Sequence, residues 1–91
     1  MTVYELKIGW SCEYGHGNTT EIYSTEEKAR KAFNFEIIQA MQDYPVFDEQ
    51  TGELINNEWE LGKGENVWYL FEKACYARNH CTITITQKNV F

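Results

Sequence analysis

The segment STEEKARKAFNFEIIQAMQDYP, residues 24–45, admits little besides an amphipathic helix with a signal at each end. Ala29, Phe33, Ile37, Ala40, Met41 and Tyr44 recur at three- and four-residue spacing, so a helix gathers them into one apolar stripe. Ser24 and Glu27 have the S-x-x-E spacing of a capping box, which predicts a start at Ser24. Pro45, the single proline, disfavours helical geometry at Tyr44 and ends the helix there or just before. Glu26 to Arg30 and Glu27 to Lys31 are favourably oriented i,i+4 pairs for its outer face. A helix with one apolar stripe needs a second layer to cover it.

Strands supply that layer. Over residues 3–14, Tyr4, Leu6, Ile8, Trp10 and Cys12 alternate with Glu5, Lys7, Gly9, Ser11 and Glu13, the period-2 pattern of a half-buried strand whose even face belongs to the core. After YGHGN, the run TTEIYS reads as a second strand, so SCEYGHGNTTEIY is a hairpin with a glycine-containing loop. Near the far end, Cys81, Ile83 and Ile85 alternate with Thr82, Thr84 and Thr86 as in a third strand. Between these parts, VFDEQTGELI resembles a short hairpin turning at Asp48 to Gly52, and NNEWELGKGEN reads as loop. The spacing of Val67, Leu70, Phe71, Ala74, Cys75 and Arg78 predicts a second helix, capped by Asn66 and ended near Asn79. The expected class is α+β: a small antiparallel or mixed three-stranded sheet with two helices on one face, in the order ββα-loop-αβ. It forms one domain over residues 1–91, with an acidic excursion at 43–66.

Length and composition agree with one small core. A chain of 91 residues buries about 60 to 65% of the surface its unfolded form exposes. Hydrophobic residues at 43% and aromatics at 15% are too many for an intrinsically disordered chain. No apolar run approaches the roughly 18 to 20 residues of a bilayer span, and MTVYELKIGW lacks the pattern of a signal peptide. Cys12, Cys75 and Cys81 are odd in number without a CxxC pair, which suits a reducing compartment. A cytoplasmic protein with cysteines buried as small hydrophobes is expected.

Charge narrows the partner. Acids outnumber bases 14 to 8, which disfavours direct nucleic-acid binding, because gripping phosphates takes clustered Lys and Arg. Asp43, Asp48, Glu49, Glu53, Glu58, Glu60 and Glu65 face one base, Lys63, so the entire net charge of −6 resides in residues 43–65. Carboxylates spaced along such a segment can pair with Lys and Arg that evolved to hold phosphates. Trp59, between Glu58 and Glu60, is either an interface anchor or a pin that folds the segment back on the domain. Asp48, Glu49, Glu53, Glu58, Trp59 and Glu60 are therefore the candidate contact residues.

Other chemistry is less well matched. Cys12, His16, His80 and Cys81, with Cys75 as a further donor, contain enough thiolates and imidazoles for zinc, but their spacing fits no familiar module. With two helices, chain direction also places His80 and Cys81 at the opposite end of the sheet from His16. GHGN is followed by a strand, whereas phosphate cradles use the start of a helix. Cys12 near His16 lacks an orienting third group for nucleophilic catalysis. No catalytic set, cofactor or membrane partner is expected.

The plan of a hairpin leading through STEEKARKAF into a helix and closing in NHCTITITQK, within a small acidic chain, resembles short proteins of phages and mobile elements. Among these are the anti-CRISPR proteins, a functional group of unrelated folds that block Cas effectors, often at sites meant for DNA or guide RNA. The resemblance implies a non-enzymatic inhibitor whose acidic segment occupies a basic nucleic-acid-binding surface on a protein partner. The alternative is a small interaction module stabilised by a metal or ligand at Cys12, His16, His80 and Cys81.

Overall fold

A computed structural model of the chain describes every residue except 13, 45, 56, 57, 74–78 and 91. Its element order is β1 (Thr2–Cys12), β2 (Gly15–Tyr23), α1 (Glu26–Asp43), β3 (Trp59–Lys63), β4 (Val67–Glu72) and β5 (His80–Asn89). Among the described residues, five strands form one antiparallel sheet in the order β2-β1-β5-β4-β3, with one helix on one face.

The expected three strands and two helices are thus corrected to five strands and one helix among the described residues. The predicted second helix is β4 in its described part, and residues 74–78, including Cys75, lie outside the described residues. Its apolar residues fill both sides of a strand: Trp68 and Leu70 are buried in the core, while Val67, Tyr69 and Phe71 are half-buried on the other face. A strand apolar on both faces shows no alternation, and Val67, Leu70 and Phe71 then match helical spacing. The expected loop NNEWELGKGEN holds β3, where Trp59 and Leu61 point to the core and Glu60 and Gly62 away from it.

The helix starts one residue later than predicted. Thr25 is the N-cap, in extended geometry, and its hydroxyl accepts a hydrogen bond from Lys28 N at 3.2 Å. Ser24 therefore caps nothing, and Glu27 joins Glu26 in the first turn, where negative charge suits the helix dipole. At the other end Tyr44 is extended (φ −113°, ψ 100°), as expected for a residue before proline. Both surface ion pairs form, Glu27 to Lys31 at 3.5 Å and Glu26 to Arg30 at 3.9 Å. Arg30 also donates to the Glu65 carbonyl and to Asn66 Oδ1, tying the helix to the β3–β4 turn.

Ala29, Phe33 and Ala40 of the helix stripe are buried with Leu6, Trp68, Leu70, Cys81, Ile83 and Ile85 of the sheet. The opposite sheet face carries no helix among the described residues and can be followed in rows across the strands. His16, Ser11, His80, Phe71 and Glu60 form one row, and Asn18, Gly9, Thr82, Tyr69 and Gly62 the next. Tyr69 and Phe71 stack with centroids 5.8 Å apart. The Tyr69 ring lies so close over Gly62 that a Cβ there would sit 2.0 Å from the ring, so only glycine fits. Further along this face Glu5, which is buried, receives Lys88 Nζ at 2.9 Å and has Lys7 Nζ at 3.2 Å.

Two outcomes follow for stability. Leu70, wholly buried at the centre of β4, should cost about 2–5 kcal/mol when replaced by Ala, read as a lowered urea midpoint. The Lys88 hydrogen bond, opposed by desolvation and helped by Lys7, lowers the Glu5 pKa below its ordinary 4.5. Its contribution is therefore present above the unfolded pKa and lost as pH falls through the folded one. Glu5→Gln should flatten the loss of stability between neutral pH and pH about 3, measured by urea unfolding at each pH.

Candidate functional site

The acidic segment is folded in its described part. Residues 46–55 fold into a small hairpin, with an isolated bridge between Phe47 and Leu54 and a hydrogen bond from Ile55 N to Val46 O at 2.9 Å. Asp48 builds the turn. Its Oδ1 accepts from Gln50 N at 2.8 Å and Thr51 N at 3.0 Å, its carbonyl accepts from Gly52 N, and its own N–H donates to Glu53 O. Gly52 has φ +73°, the left-handed geometry that closes the reversal. The backbone donors at Thr51 and Gln50 hold the Asp48 carboxyl below its ordinary range, so it is ionised at neutral pH.

This hairpin packs against β4 on the helix side of the sheet. Phe47 lies against Trp68, with centroids 6.4 Å apart, and Leu54 packs on the core. Between the hairpin and the C-terminal half of α1 runs a groove of about 680 Å³, lined by Ile38, Met41, Gln42, Phe47, Asp48 and Glu49. Its lining combines three apolar side chains, Ile38, Met41 and Phe47, with the carboxylates of Asp48 and Glu49. Ile38 is 54% exposed there, off the buried stripe of the helix.

The six candidate contact residues divide between places. Asp48 and Glu49 line the groove, and Glu53 is exposed on the returning arm of the hairpin. Trp59 turns into the core side and meets Tyr44 edge to face at 5.8 Å, the pin reading of this residue. Glu60 points to the opposite sheet face beside Phe71. Glu58 is exposed just before β3, and its carbonyl accepts from Lys73 N at 2.8 Å. Ile38, Met41 and Phe47 were not singled out as contacts; the signal for Ile38 is an apolar residue outside the helix stripe.

The zinc candidates also divide, for a reason unlike the expected one. With two strands in place of the second helix, β5 begins beside the end of β1, so His80 and Cys81 do lie at the same end as His16. Strand alternation then separates them. His16 and His80 both pair with Ser11 and share the open face, whereas Cys12 and Cys81 point to the helix side. No group of three or more metal-ligating residues gathers among the described residues. The same alternation keeps Cys12 away from His16 as a nucleophile pair.

Cys12 and Cys81 instead line a cleft of about 460 Å³ at the end of α1, with Tyr44 and Asp43. Burial, with Asp43 and Glu36 nearby, pushes the Cys81 thiol up to about 11, so it stays protonated and weakly nucleophilic at neutral pH. No helix among the described residues is long and apolar enough to cross a membrane. No protein-family model, curated protein or solved structure matches this chain.

The separation of imidazoles from thiols gives a direct outcome. Protein purified without added metal should carry far less than one zinc per chain by elemental analysis, and Cys12→Ala should leave that content unchanged.

Proposed function

We propose that this chain is a non-enzymatic binding protein that holds a basic, partly apolar segment of a protein partner in the groove between α1 and the 46–55 hairpin. The observation that carries this reading is a groove lined by both apolar side chains and carboxylates. Ile38, Met41 and Phe47 offer contact area, and Asp48, Glu49 and Glu53 offer carboxylates on and beside it. Charged rims steer partners and set register, while desolvated apolar anchors hold them. The hairpin's internal hydrogen bonds support the reading further, because a prefolded loop loses little entropy on binding.

A surface of Lys and Arg built to hold DNA or RNA is the partner chemistry that matches a localised charge of −6. Inhibitors of Cas effectors often act in this way, the chain resembles them in layout, and the reading would place the protein in the cytoplasm of the host cell. Glu58, Glu60 and Trp59 then act as a secondary margin along β3, with Trp59 holding that margin in place.

The test keeps the hairpin folded. Asp48→Asn retains the Oδ1 acceptor of the turn, and Glu49→Lys with Glu53→Lys reverses the remaining charge. The triple variant should retain its thermal midpoint within a few degrees. Its affinity for a Cas effector captured by the wild-type chain should fall by at least about tenfold, with a weaker dependence on salt. Undiminished binding by the folded variant would remove the groove from consideration.

A further inference from the structure

The two edges of the sheet are protected unequally. β3 is five residues long, ends in Lys63 and lies within the acidic segment, all features that discourage strand addition. β2 is nine residues long and reads GHGNTTEIY, without proline or lysine. Its register against β1 runs residue for residue from Tyr4↔Tyr23 to Cys12↔Gly15, so no bulge twists it away. Ile22 on this strand is 57% exposed, and the Trp10 indole, 44% exposed, reaches the same margin by lying over Gly17.

We propose that β2 is a self-association edge, where a second copy of this chain pairs antiparallel with it to make a continuous ten-stranded sheet. The charge distribution selects this occupant. Glu21 is the only acid in β2, and its carboxylate accepts the Tyr23 hydroxyl of the same strand. The acidic segment includes β3 at the far edge, and its hairpin packs on β4, so joining through β2 sets the two segments at opposite ends of the assembly. A basic peptide would be drawn to that far edge instead.

The strand is also self-complementary. With the two-fold axis at Thr19, Thr19 meets its own copy as a β-branched pair, Asn18 meets Thr20, and His16 meets Ile22. Glu21 then faces Gly17, leaving the two Glu21 residues about 13 Å apart along the strands, beyond the Debye length of about 8 Å at physiological salt. Every pair keeps the faces of the parent sheet aligned, because positions summing to an even number share a side.

Sedimentation equilibrium over a dilution series tests this. The wild-type chain should approach the mass of two copies at high concentration and one at low. Thr19→Lys places two ammonium groups opposite each other at the axis and should shift the equilibrium to monomer, while Thr19→Val should preserve the dimer. Circular dichroism of Thr19→Lys confirms that the variant is folded; if it is not, concentration-dependent protection of the β2 amides of the wild-type chain from hydrogen exchange decides. A wild-type chain that stays monomeric at the highest concentration, or a folded Thr19→Lys that dimerises equally well, overturns the proposal. The inference is independent of the groove: Asp48→Asn, Glu49→Lys, Glu53→Lys should dimerise normally.

Discussion

The ladder between β1 and β5 is the interaction on which the rest of the structure depends. It runs without a break from Thr2↔Asn89 to Ser11↔His80 and forms the middle of the sheet. β2 joins it from one side through a local hairpin, and β4 with β3 joins from the other. The buried residues Leu6, Ile83 and Ile85 sit on these two strands, so the helix has a surface to dock on only once they have paired. Pairing strands from the two ends of the chain closes a long loop before it returns any energy, so folding should be slow for a domain of this size.

The sequence reveals those parts of the fold in which one face is apolar and the other is not. β1, β5 and α1 each have this property, and their periods of two and of three to four survive into the structure. The 46–55 hairpin was legible from its turn chemistry, since Asp48 and Gly52 do what their residue types suggest. β4 was hidden because Tyr69 and Phe71 stack on the face where polar residues would normally stand. β3 was hidden because five residues, one of them the glycine beneath Tyr69, are too short a pattern to outweigh a loop composition. The helix start moved by one residue because Ser24 and Thr25 are both competent caps and local pattern cannot rank them.

The same misreading reached the candidate sites. Exchanging one helix for strands reverses chain direction and brings both histidines to one end of the sheet, yet the pleat sends imidazoles and thiols to different sides. Proximity along the chain and proximity at one end of a sheet are therefore both insufficient evidence of a ligand set. The acidic segment gained definition instead. Its charge was visible in the sequence, but the apolar lining beside Asp48 and Glu49 arises only where α1 and the hairpin meet, a tertiary property that no short window contains.

The central ladder also determines how the molecule would respond to force. Met1 and Val90 are hydrogen-bonded to each other, Val90 N to Met1 O at 2.7 Å and Met1 N to Val90 O at 3.2 Å, so β1 and β5 can be gripped at the same end of an antiparallel pair. Tension applied at these two residues would peel the strands apart one hydrogen bond at a time, whereas strands gripped at opposite ends would share the load across every bond. The longest ladder in the fold would consequently open as a zipper under tension between these two residues.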